Sequence, residues 1–140
     1  MEQFLQDINT QLNGQVVILG GWARYYNGYA PDYSKHWVDV SITSSSIDLI
    51  SQLGNKLDLQ GGHSWGSHIQ DQFIVACGTR ESRKVIDVFV ESTLPEYEVV
   101  NGLKIQTPQA AVNWHQAAFD LLGVPQLENK VSNLKTLYGL

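Results

Sequence analysis

The chain has 140 residues, of which 43% are hydrophobic and 16% charged; this composition predicts one globular domain, residues 1–140, and excludes a disordered chain. The net charge is −5, from 9 basic and 14 acidic residues, which argues against a general nucleic-acid binder because phosphate contacts need clustered Lys or Arg. The single cysteine, Cys77, excludes a disulfide framework and a multi-cysteine zinc site, and no apolar run reaches the roughly 18 residues of a membrane span.

Helix and strand patterns alternate in the first part of the chain. Phe4, Leu5, Ile8 and Leu12 recur at helical spacing and predict a first helix, which Gly14 closes. The next predicted elements are a buried strand at 16–19, a tight turn at 20–21, a short helix at 22–26 and a loop at 25–36.

The strand predicted at 37–42 has an apolar face and a second face that carries an acid. Val38, Val40 and Ile42 alternate along one face, and Asp39 lies on the other. The serines at 44–46 then predict an N-cap for a helix at 47–53.

Strands and then helices fill the rest of the chain. Further strands are predicted at 56–59, 72–76 and 85–90. Asn101-Gly102 predicts a type I′ hairpin, because this pair adopts positive φ angles readily. Thr107 predicts the N-cap of a helix that ends at Gly123, and a last helix follows with its apolar stripe over 127–138. The sum is an α/β (α+β) domain with a mixed β-sheet flanked by helices.

Asp39 and Asp87 are the candidate residues for chemistry, because each stands inside a predicted strand. Strands disfavour aspartate, and a buried carboxylate is costly unless it is paired or bound to a metal. A sheet face open to solvent is an alternative explanation for Asp39, whereas the run around Asp87 is apolar on both sides. Two such acids on neighbouring strands, facing the same side, would hold a hard divalent cation through their oxygens.

Gly20 and Gly21 are a second candidate feature, at the end of the buried strand. Glycine lets backbone N–H groups approach an anion, and phosphates bind where a strand runs into a helix N-terminus. A plain tight turn accounts for the pair equally well.

In chain order these features resemble the nucleotidyltransferase fold superfamily, the DNA polymerase β-like group. The resemblance rests on Gly-Gly-Trp-Ala at 20–23, the strand bearing Asp39, and Ile-Asp-Val-Phe at 86–89. It implies that Gly20 and Gly21 bind a nucleoside triphosphate and that Asp39 and Asp87 are catalytic ligands of Mg²⁺. The implied reaction is in-line displacement at the α-phosphorus with release of pyrophosphate, Asp87 helping to activate the attacking hydroxyl.

Departures from the family pattern support a second hypothesis. Trp37 stands where the family has its first aspartate, and an indole cannot ligate Mg²⁺. Asp32 would replace the missing carboxylate only by swinging in from the predicted loop. Asn133 stands where the family's C-terminal pattern has an acid. The alternative is therefore a catalytically degenerate module that serves as a binding or structural subunit of a larger assembly, such as a toxin–antitoxin pair or a virus particle.

Two further groups of residues have weaker functional interpretations. The tyrosines of the predicted loop region would stack on a base, contact a protein partner or simply pack on the surface; they are Tyr25, Tyr26, Tyr29 and Tyr33. His63 and His68 would form a zinc pair but lack a third ligand, which favours an ordinary loop. Because the polar, acidic N-terminus does not resemble a signal peptide, we expect a cytoplasmic or intracellular viral protein that does not bind membranes.

Overall fold

The computed structural model describes residues 1–29, 34–58 and 69–140. Its helices are α1 (Glu2–Gln11), α2 (Gly20–Tyr26), α3 (Ile47–Ser51), α4 (Pro108–Leu122) and α5 (Pro125–Tyr138). Its strands are β1 (Val17–Leu19), β2 (Trp37–Ile42), β3 (Asn55–Asp58), β4 (Ile69–Cys77), β5 (Lys84–Glu91), β6 (Tyr97–Val100) and β7 (Leu103–Gln106). No helix among these residues is long and apolar enough to cross a membrane.

The described strands form one mixed sheet in the order β3-β4-β5-β2-β1-β7-β6. Strands β2 and β5 are parallel, as are β1 and β7, and the other neighbouring pairs are antiparallel. The predicted α+β architecture, a mixed sheet flanked by helices, is confirmed. Non-consecutive strands β2 and β5 thereby become neighbours at the centre of the sheet.

Helices cover both faces of the sheet. The larger core lies between one face and α1, α2 and α3, where the alternate residues Val38 and Val40 of β2 are almost completely buried. On the opposite face, Trp114 of α4 packs on Leu19 and Phe89, and α5 packs on α4. Asp39 therefore faces a layer covered in part by α4, and the explanation of a sheet face open to solvent is wrong.

The predicted turn and cap residues are confirmed at three places. Asn101 and Gly102 have φ angles of 52° and 78°, as a type I′ hairpin requires. Thr107 caps α4, because its hydroxyl oxygen accepts a hydrogen bond of 3.2 Å from the backbone N–H of Ala110. Gly123 ends α4 in the left-handed conformation.

Three local predictions are wrong. The glycines at 20 and 21 do not form a turn ahead of a helix at 22–26, because α2 begins at Gly20 itself. The serines at 44–46 form a short 3-10 turn, and neither this turn nor α3 has a capping hydrogen bond from a side chain. Helix α3 also ends at Ser51, before the predicted limit of 53.

Candidate functional site

Asp39 and Asp87 lie side by side at the centre of the sheet. They are direct partners in the register of the parallel pair β2 and β5, so both side chains leave the same face of the sheet. Side chains alternate between the two faces of each strand, so the apolar residues point toward the larger core and the two acids point toward α4. The fold thus brings together the two acids that the sequence singled out.

Burial and mutual repulsion perturb the ionisation of this pair. Burial, and then the nearby Asp87 carboxylate, raise the pKa of Asp39 to about 6, against a hydrogen bond from Trp37 and the positive charges of Arg24 and Lys130. Burial also raises the pKa of Asp87, against a hydrogen bond of 3.0 Å that the Gln72 amide donates to its Oδ1. Two carboxylates in such surroundings favour an added positive charge, either a proton or a metal cation.

Gly20 allows the backbone to approach the acid pair. Its φ of +63° is left-handed, and a Cβ placed on it would lie 2.5 Å from Oδ2 of Asp39. Any larger residue at position 20 would therefore collide with the carboxylate. The glycine predicted for phosphate binding is, in the structure, fitted closely to Asp39.

A cavity of about 190 Å³ opens over the two acids. Gly20 and Gly21 form part of its wall, and α2, α4 and α5 contribute Arg24, His115 and Lys130. The cavity therefore combines two carboxylates with two cationic side chains. It is smaller than a typical ligand pocket, so a whole nucleotide would extend beyond it.

The cationic residues of this cavity were not among the candidate residues predicted from the sequence. Arg24 lies one helical turn after Gly20 in α2, and this spacing could have predicted that Arg24 lies near the glycine pair. Lys130 comes from the last helix, and no local pattern connects it with a strand about ninety positions earlier; only the packing of α5 on α4 explains its place.

Trp37 lies beside the acid pair and does not line the cavity. Its side chain is 41% exposed, and its indole partly offsets the rise in the pKa of Asp39. The indole therefore does not fill the space above the two acids.

The donors present fit a hard divalent cation, with two protein ligands. Carboxylate oxygens are the ligands that Mg²⁺ prefers, and Mg²⁺ usually takes its other ligands from water and substrate phosphates. Within the described ranges, no group of three or more His, Cys, Asp and Glu side chains is arranged to hold a metal. Asp39 and Asp87 would therefore share the cation with oxygens of a bound ligand.

A second polar cluster lies farther along the same face of β2 and β5. Glu91, which is 5% exposed, accepts a hydrogen bond from the Ser41 hydroxyl. Burial raises the pKa of Glu91. Phe89, whose ring meets Trp114 edge-on at 5.3 Å, stands between this cluster and Asp87 along β5.

Most of the remaining candidates have packing roles or lie outside the described residues. Tyr25 and Tyr26 belong to α2 and pack against the larger core, and Tyr29 meets Tyr138 edge-on at 4.8 Å. Cys77 is buried at the end of β4, as expected. The candidates that lie outside the described residues are Asp32, Tyr33, His63 and His68.

Comparison with known proteins shows a likeness of fold. No protein-family model and no curated protein matches the chain. The crystal structure of JHP933 from Helicobacter pylori matches 81% of this chain at 14% identity with a TM-score of 0.52. The match covers 53% of JHP933, so the chain spans about half the length of that protein.

A second solved structure matches with a lower score. The crystal structure of ANT(2")-Ia in complex with adenylyl-2"-tobramycin covers 98% of this chain and 96% of its own, at 13% identity and a TM-score of 0.48. A score below 0.5 is too low to establish a shared fold. The likeness to JHP933 concerns the fold alone.

Proposed function

We propose that this chain is a nucleotidyltransferase-like protein, which binds a nucleoside triphosphate together with Mg²⁺ and transfers its nucleotidyl group. The observation that carries the proposal is the in-register pair of Asp39 and Asp87, exposed to one cavity beside Gly20. The order of these residues in the chain is also that of the DNA polymerase β-like group.

Asp39 and Asp87 are the residues that would hold the cation. Their repulsion, which contributes to the raised pKa of Asp39, is relieved when a divalent cation lies between them. The bound cation would neutralise phosphate oxygens and stabilise the charge that develops during transfer.

Arg24, Lys130 and the backbone of the glycine pair would bind the phosphates. All of them line the cavity that the acids occupy. A guanidinium and an ammonium group provide charge-assisted hydrogen bonds to phosphate oxygens. Because the cavity is small, the base and sugar would lie outside it.

The proposed transfer forms one bond and breaks one. A hydroxyl oxygen of the acceptor attacks the α-phosphorus, the bond from that phosphorus to the bridging oxygen of the β-phosphate breaks, and pyrophosphate leaves. Asp87, as the family resemblance implies, accepts the hydroxyl proton.

The second candidate function is a degenerate module that binds without catalysis. Trp37 favours it, because an indole, which cannot ligate Mg²⁺, stands where the resemblance places the family's first acid. Such a module would act as a subunit of a larger assembly. Contact with a protein partner through the tyrosine-rich region at 25–33 stays a prediction.

Thermal melting with Mg²⁺ and each nucleoside triphosphate tests the binding step. A ligand at 100 times its dissociation constant stabilises the folded state by about 2.7 kcal/mol, and we expect that gain in the wild type but not in Asp39→Asn or Asp87→Asn. Asp58→Asn is the matched control, because Asp58 is 82% exposed on the distant strand β3. No gain in the wild type would contradict the proposal.

Pyrophosphate release separates the two candidate functions. With metabolite extract as a source of acceptors, a nucleotidyltransferase releases pyrophosphate in a reaction that Asp87→Asn abolishes. A degenerate module binds the nucleotide with the same melting shift and releases none.

A further inference from the structure

Gln72 of β4 contacts Asp87 from the side opposite to Asp39. Strand β5 lies between β2 and β4 in the sheet, so Asp87 has a repelling carboxylate on one neighbouring strand and an amide on the other. The Gln72 Nε2 donates a hydrogen bond of 3.0 Å to Oδ1 of Asp87.

The chemistry of the contact sets the orientation of the amide. An ionised carboxylate only accepts hydrogen bonds, so the NH₂ group of Gln72 must face Asp87. Its carbonyl oxygen is then buried without a hydrogen-bond partner among the described residues. A buried acceptor left unsatisfied is unfavourable, so packing alone would favour an apolar side chain here.

We propose that Gln72 is a positioning residue for the cation site, holding Asp87 in the orientation in which it shares a cation with Asp39. The amide occupies Oδ1 and leaves Oδ2 outside this contact. This inference rests on the proposed function. It adds a residue that touches neither cation nor substrate and acts only through Asp87.

The test compares Gln72→Met with Gln70→Met. Methionine has nearly the volume of glutamine but cannot donate a hydrogen bond, and Gln70 is an exposed residue of the same strand. The probe is Mn²⁺ with a non-hydrolysable nucleoside triphosphate analogue, titrated by calorimetry. Loss of a residue that orients a ligand typically weakens metal affinity by 10–100-fold, and we expect at least about 10-fold for Gln72→Met and no change for Gln70→Met.

The metal-free melting temperature distinguishes positioning from a structural role. Gln72→Met removes both a hydrogen bond and an unsatisfied carbonyl, which have opposite effects on stability, so we expect a shift of less than about 3 °C. Unchanged affinity in Gln72→Met, or a much larger fall in melting temperature, would overturn the inference alone. A wild type that binds no Mn²⁺ would overturn the proposed function and the inference with it.

Discussion

Asp39 is the residue whose environment differs most from that of an ordinary surface acid. It is packed against Gly20, repelled by Asp87 and partly compensated by Trp37, Arg24 and Lys130. A carboxyl group held this way is unfavourable when ionised and without a bound cation. Such an unfavourable free energy is expected at a functional site, where a bound ligand supplies a positive charge.

The raised pKa of Asp39 predicts how stability depends on pH. The folded state binds the proton more tightly than the unfolded chain, whose aspartates titrate near 3.9. The contribution of Asp39 to stability is therefore fully present below about pH 4 and is lost as pH rises through its folded pKa of about 6. Asp39→Asn should then stabilise the metal-free protein at pH 8, by about 1–3 kcal/mol, and give no gain at pH 4.

Urea denaturation of both proteins between pH 4 and pH 8 measures this effect. Asp58→Asn, at an exposed position, should show no comparable gain at either pH. An Asp39→Asn variant less stable than the wild type at pH 8 would contradict this prediction. It would mean that groups within the protein already compensate the charge of the Asp39 carboxylate.

At the level of helices and strands, two N-cap patterns in the sequence have different outcomes in the structure. Thr107 and the serines at 44–46 both matched the N-cap pattern, but only Thr107 forms a capping hydrogen bond. The chain at 44–46 enters α3 through a 3-10 turn, and that path depends on how the preceding strand packs. A capping residue in the sequence therefore does not specify the backbone geometry that capping requires.

This difference gives a prediction for the stability of α4, the helix that covers the acid pair. Thr107→Ala removes the cap and should cost about 0.5–2 kcal/mol. Ser44→Ala, at an exposed position without a capping contact, should change stability by less than about 0.5 kcal/mol. Denaturation midpoints measure the change in stability of each variant. Equal losses in the two variants would contradict the finding that Thr107 caps its helix and Ser44 does not.

Strands were predictable wherever residues alternate or form an apolar run. The 37–42 pattern identified the faces of β2 correctly, and the acid inside the apolar run marked β5 as unusual. The order of strands was not predictable in the same way. The pairing of β2 with β5 links segments separated by two other strands, and only the acids themselves suggested that these strands would be neighbours.

At the scale of the whole molecule, the candidate site is built from parts that are distant in sequence. The sheet contributes the acids, α2 the glycines and Arg24, and the C-terminal helices His115 and Lys130. Residue type and strand context indicated the acids, because a buried carboxylate is rare. The cations were not indicated, because lysine and arginine are ordinary on helix surfaces and only helix packing brings these two to the cavity.

If the proposed function holds, Asp39 and Asp87 bind one cation between them. Crystals grown with Mn²⁺ and a non-hydrolysable nucleoside triphosphate analogue test it directly through the anomalous signal of manganese. We expect one strong peak at about 2.0–2.3 Å from an oxygen of each carboxylate, with phosphate oxygens as the other ligands of the manganese ion. Two ordered carboxylates with no manganese between them, in crystals where the analogue is bound elsewhere, would contradict it.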